Sequence, residues 1–136
     1  MNQYTVLRAA DAPDFTGDAP GAFLGYGRPM GTGQIAFNMR VLEPGQPHIP
    51  PGGDPSWGHS HKTIEEIYLV LEGEITMKVG DEVLTLGPRD AILMAPATPR
   101  ATRNEGDVRA VFAMFSAKVD DPMAETEAHE GFWPAD

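Results

Sequence analysis

The chain contains no cysteine. That excludes both a disulfide frame and a thiolate metal site, so any metal must be held by nitrogen and oxygen donors. Basic residues are scarce: ten Lys and Arg against twenty Asp and Glu give a formal net charge of -10. Such a balance argues against a nucleic-acid surface. Long apolar runs are missing too. The longest stretch without a polar or small residue covers about residues 67–71, far too short to span a bilayer. No positively charged start followed by an apolar stretch opens the chain, so no secretory signal is expected, and the default expectation is a soluble cytoplasmic protein. Half of the negative charge falls in residues 117–136, where Asp120, Asp121, Glu125, Glu127, Glu130 and Asp136 face Lys118 alone. This pattern predicts a solvated acidic end.

At 136 residues the chain is long enough for one domain with a real core. Gly 15 and Pro 13 are spread along it, which reads as many short strands joined by turns. Residues 1–33 are irregular, with a possible leading edge strand around Tyr4, Val6 and Leu7. Over residues 34–42, Ile35, Phe37, Met39 and Val41 alternate with Ala36, Asn38 and Arg40, the pattern of a half-buried strand. A Pro/Gly loop follows over residues 43–58. Residues 59–71 form a central strand region that is apolar on both faces and is expected to be buried on both sides. Further strands are predicted over 74–79, 83–86, 91–94 and 108–115, with Gly80-Asp81 as a hairpin turn and a break at residues 96–99. Only residues 121–130 look helical, with an N-cap candidate at Asp121, Pro122 in the first turn and Gly131 as the stop. Seven or eight short strands with regular turns predict an all-β fold, a sandwich or barrel. The organisation predicted is an irregular segment (1–33), a β-barrel (34–116) and an acidic tail (117–136).

The chemistry concentrates in residues 53–73, GDPSWGHSHKTIEEIYLVLEG. His59 and His61 are two residues apart and share a face of an extended chain. Glu66 opens a buried strand on the same face as Tyr68 and Val70. A carboxylate at such a place needs a partner, and a divalent cation is the partner that two neighbouring histidines suggest. Two imidazoles and one carboxylate leave coordination positions open for water, substrate or oxygen, and suit Fe, Mn, Zn, Ni or Co.

This stretch resembles the first motif of the cupin superfamily: Gly53, five residues, His59 and His61, four residues, Glu66, six residues, Gly73. A second motif is present in eroded form in RDAILMAPATPRATRN, where Asp90, Pro96, Thr98, Pro99 and Asn104 fall at the family's positions. Arg89 stands for a Gly, Ala95 for a Pro, Ala97 for a Gly, and Arg100 for the histidine that usually supplies a further metal ligand. The resemblance covers roughly residues 35–116. It implies a single antiparallel β-barrel or jelly roll with a short C-terminal helix or tail, a metal at His59, His61 and Glu66, a small-molecule ligand or substrate, and a homodimer. It also implies dioxygenase, isomerase, cyclase, lyase or decarboxylase chemistry, among which fold does not choose.

Arginine stays protonated and cannot ligate a metal. Three arrangements follow. His59, His61 and Glu66 suffice, with Arg100 gripping an anionic substrate group; or His48 or His129 fills the gap; or the site has lost metal and Arg100 pairs with Glu66 in a binding barrel. A shift of one residue in the second motif would put Ala101 at the site instead. Tyr68 is a candidate pocket residue, Trp57 a candidate roof, and Arg40 and Arg109 read as surface residues. Phe132 and Trp133 in the tail are expected to dock on the domain or on a second subunit.

Overall fold

The structure, a computed structural model, describes residues 3–50 and 53–134. Pro51 and Gly52 of the predicted loop and Asp136 of the acidic end lie outside the described residues. Among the described residues ten strands form: β1 (Ala22–Gly25), β2 (Ile35–Leu42), β3 (Gly58–His61), β4 (Glu66–Glu72), β5 (Ile75–Val79), β6 (Glu82–Leu86), β7 (Ala91–Met94), β8 (Arg100–Arg103), β9 (Ala110–Ala117) and β10 (Thr126–His129). Among the described residues there are also two one-turn α-helices, α1 (Gly27–Met30) and α2 (Pro122–Glu125), and a short 3-10 turn at Ala9–Asp11. The strands make two five-stranded sheets in the orders β1-β2-β9-β4-β7 and β10-β3-β8-β5-β6. The protein is an all-β jelly roll with every pairing between its strands antiparallel. Between the sheets sits a core of Leu42, Tyr68, Val70, Ile75, Met77, Met94, Ala110, Phe112 and Met114.

Several sequence expectations change in the fold. Tyr4, Val6 and Leu7 form no strand, whereas Ala22–Gly25 does. The central region predicted over residues 59–71 is two strands in different sheets, because the link at residues 62–65 leaves the ladder. Its backbone donors turn elsewhere: Lys62 N–H donates to the Glu125 carbonyl, and the Thr63 and Ile64 amides to the Glu125 carboxylate. The helix predicted over residues 121–130 is one turn. Asp121 does cap it, accepting from the Met123 and Ala124 amides with Pro122 in the first turn. The chain then straightens into β10 and pairs with β3, so residues 126–129 are a sheet edge and not a free solvated end.

The faces of β2 are also reversed. Arg40, read as a surface residue, is 3% exposed and Leu42 is fully buried, while Ile35 on the other face is 56% exposed. Alternation sets which residues share a face but not which face turns inward. Arg40 is held inside by its own donors: Nη1 reaches the Ala22 and Val41 carbonyls, and Nε reaches His48 Nδ1. The outward face of β4 is likewise uncovered in a single chain, with Ile67 40% and Leu71 42% exposed.

Two non-glycine residues take a left-handed backbone, Arg89 (φ 72°) and Ala97 (φ 65°). Both stand where the resemblance of the second motif calls for glycine. Gly73, which closes the first motif, has φ 66°, and a Cβ there would meet the Arg109 carbonyl oxygen at 2.4 Å.

Candidate metal centre

The jelly roll brings the three candidate ligands together from two sheets. β3 carries His59 and His61 in one sheet, and β4 carries Glu66 in the other. Their ligand atoms all lie within 4.8 Å of one another, as one group that could hold a metal ion. His61 Nε2 is 3.3 Å from Glu66 Oε1, and Oε1 is buried with no hydrogen-bond partner. A buried carboxylate oxygen left without a donor is costly, and its placement against two imidazoles fits a divalent cation. Burial, reinforced by the charge of Arg100, holds the His59 imidazole down to about 4, so that ring is neutral and its lone pair is available to a metal.

Arg100 is fully buried and lies directly across the ladder from His59. Its Nε donates to Met94 Sδ at 3.0 Å, and Nη2 is 3.9 Å from Glu66 Oε1. Neither Nη1 nor Nη2 has a hydrogen-bond partner. The Tyr68 hydroxyl is buried and equally unpartnered. Burial first, and the Glu66 carboxylate second, push the Tyr68 phenol well above its usual range, so it stays a neutral donor. The side chain next along β8, Ala101, points to the opposite face of the strand, and the left-handed Ala97 at a motif glycine position agrees with the register that puts Arg100 here.

The other candidates stay out of the cluster. Arg40 Nε donates to His48 Nδ1 at 3.1 Å, so the ring proton of His48 is on Nε2 and neither nitrogen is free for a metal. Burial keeps His48 well below its usual range and hence neutral. His129 places Nε2 2.8 Å from Ser60 Oγ, and Ser60, lying between the two histidines of β3, faces the other side of that strand. Trp57 closes a turn by its amide to the Asp54 carbonyl. Phe132 and Trp133 dock on their own chain, under Lys78 and Arg103 at 4.5 and 4.1 Å. Arg109 is exposed beside Glu72.

A cavity of about 390 Å³ opens at His61 and Glu66, walled by Phe15, Phe23, Asn38, Ile64 and Ser116 and lined also by Arg28 and Lys118. Sequence reasoning missed the Arg40–His48 pair and the contact of Thr126 with His61 Nδ1 at 3.3 Å. The sole signal for the first was the charge at Arg40 in an otherwise mild strand. The second links residues too far apart in the chain for any local pattern to report.

The jelly roll thus brings two histidines and a glutamate together from its two sheets as a group that could hold a metal ion. The Cupin domain family model matches residues 42–116, more than half of the chain, and the chain belongs to that family. An uncharacterized protein of Methanocaldococcus jannaschii is 38% identical over 60 residues, which are 44% of this chain and 48% of the relative. The chain thus spans about half the length of the curated relative it matches. Among solved structures, a cupin protein from Bacteroides fragilis superposes with a TM-score of 0.68 at 21% identity, covering 89% of each chain. A sugar phosphate isomerase of the cupin superfamily from Silicibacter pomeroyi superposes with a TM-score of 0.62 at 23% identity, covering 73% of this chain and 60% of its own. At such identities the likeness is one of fold. Among the described residues no helix is long and apolar enough to cross a membrane.

Proposed function

We propose that the protein is a metal-dependent enzyme acting on a small anionic or carbonyl-bearing substrate, with one divalent metal held by His59, His61 and Glu66. The observation that carries this reading is the pairing of that three-donor group with a buried arginine whose two terminal nitrogens lack partners. A bound divalent ion supplies Lewis-acid polarisation of a carbonyl or enolate oxygen, or a binding point for dioxygen. Arg100 receives the acidic group of the substrate bidentately and holds its orientation. Tyr68, neutral and unpartnered, donates a hydrogen bond to a substrate oxygen. The cavity reaches the site at His61 and Glu66. Dioxygenase, isomerase and cyclase chemistry all suit such a site. Sugar phosphate isomerisation, the activity named for the Silicibacter pomeroyi protein, is one member of that set.

The rival reading is a non-catalytic binding or sensing barrel in which Arg100 neutralises Glu66. The 3.9 Å separation of Nη2 and Oε1 favours the first reading, since a direct charge-assisted hydrogen bond is shorter by about 1 Å. Metal analysis of protein purified without an affinity tag separates the two. Near-stoichiometric metal that is lost in His59→Ala supports the enzyme. A metal-free protein whose melting temperature ignores added Mn, Fe, Co, Ni and Zn sinks it.

The same reading includes a homodimer. Its support is the outer face of the β1-β2-β9-β4-β7 sheet, where Ile67 lies opposite Leu93 and Phe115 and Tyr26, Phe37 and Phe115 stack in sequence at 5.0 and 4.8 Å.

A further inference from the structure

The acidic C-terminal segment touches the candidate ligands at several points. β10 pairs with β3 so that Thr126 lies opposite His61. Glu125 Oε1 accepts from the Thr63 amide, the Thr63 hydroxyl and the Ile64 amide at 2.5, 2.8 and 3.0 Å. Those donors belong to the link between His61 and Glu66. Thr126 Oγ1 donates to the Pro122 carbonyl at 2.7 Å and lies 3.3 Å from His61 Nδ1.

A hydroxyl has one hydrogen to give. Thr126 gives its hydrogen to Pro122, so toward His61 its oxygen can only accept. His61 therefore carries its ring proton on Nδ1 and keeps an open lone pair on Nε2. Nε2 is the atom that faces Glu66 Oε1 at 3.3 Å, and Oε1 has no hydrogen-bond donor of its own. Two acceptors facing each other at that distance repel unless a cation stands between them. Histidines that bind metals commonly give the other ring N–H to a partner that fixes tautomer and ring angle.

We propose that Thr126 and Glu125 are positioning residues of the metal centre. Thr126 sets the tautomer and rotation of His61, and Glu125 fixes the link that holds His61 and Glu66 at their working separation. The inference rests on the metal reading given above. It adds two residues that never touch the ion and makes the C-terminal strand a working part of the site.

The test uses the full chain and two readouts. One is the tautomer of His61, read by nitrogen NMR in metal-free protein at mildly alkaline pH. The other is Co and Zn affinity, read by competition with a chromogenic chelator. Wild type and Thr126→Ser are expected to show the Nδ1–H form and to bind alike. Thr126→Val, nearly the same shape but without the hydroxyl, is expected to lose the fixed tautomer and to bind metal about 10–100-fold more weakly, with the melting temperature of its metal-free form little changed. Unchanged affinity in Thr126→Val, or an Nε2–H or doubly protonated ring in wild type, overturns the proposal. Should Thr126→Val fail to fold, Glu125→Ala takes its place in the affinity assay, where a several-fold loss supports the assignment and none overturns it. A wild-type protein that binds neither metal is a failure of the metal reading itself, and is told apart because no variant is then needed to see it.

Discussion

Arg100 on β8 stands directly opposite His59 on β3, so a permanent positive charge shares a ladder rung with a candidate metal ligand. The guanidinium helps hold His59 neutral, and it also opposes a second cation nearby. Replacing it with an imidazole removes the repulsion and adds a donor. Arg100→His is expected to tighten Co or Zn binding by about tenfold or more, the equivalent of ~1.4 kcal/mol, and to weaken binding of anionic ligands. Chelator competition measures the first and ligand-induced shifts in melting temperature the second. Metal affinity equal to wild type would mean that the side chain does not face the ligands.

The buried histidines give the metal-free protein a definite pH response. His59 is lowered from 6.5 to about 4 and His48 is lowered well below 6.5, in both cases chiefly by burial. Between those values the unfolded chain takes up protons that the folded chain refuses, so stability falls as pH drops through the window and is fully present above it. For His59 alone the loss is on the order of 3 kcal/mol. Urea unfolding of metal-free protein across the window checks this, and His59→Gln should flatten the slope. A stability that does not vary there contradicts the burial described for both rings.

Arg89 and Ala97 hold backbone angles that suit glycine. The left-handed conformation costs a residue with a Cβ roughly 1–2 kcal/mol, and glycine returns roughly 0.4–1 kcal/mol of that through its freer unfolded chain. Arg89→Gly and Ala97→Gly are each expected to stabilise the fold by about 0.5–1 kcal/mol net. Denaturant midpoints at constant slope would show it. Ala97 is the more informative of the two, since its amide donates to the His61 carbonyl at 2.6 Å.

The apolar outer sheet face predicts an oligomer that a charge can break. Ile67 and Leu93 are opposite one another and 40% and 59% exposed. Light scattering is expected to give a mass of two chains for wild type and one chain for Ile67→Lys with Leu93→Lys. The substituted protein should keep its metal affinity, because this face lies on the other side of the sheet from Glu66 and Tyr68. A monomeric wild type at micromolar concentration rejects the dimer.

The strand-and-turn pattern and the spacing of His59, His61 and Glu66 were legible because both are local. Gly73 needed a left-handed turn, and a carboxylate starting an apolar strand needed a partner. What stayed hidden depends on pairing between distant segments. Nothing near Thr126 indicates that it will lie beside His61, and the run from Asp121 onward carries good helix-start signals that the pairing of β10 with β3 overrides after one turn. Arg40 misled for a different reason. Its strand is apolar along the face that turns outward, while the face that turns into the barrel carries Asn38 and Arg40 beside the core residue Leu42. The break at residues 62–65 follows the same logic, since its amides are satisfied by Glu125 and not by a neighbouring strand.

The origin of the ligands in different sheets has a consequence for unfolding. His59 and His61 belong to one layer of the sandwich and Glu66 to the other, so a bound ion would act as a rivet through both. The layers could then not part without releasing it. At a free metal concentration a hundredfold above the dissociation constant, that coupling amounts to about 2.7 kcal/mol. Resistance to heat or proteolysis would then report how full the centre is, with no substrate in the assay.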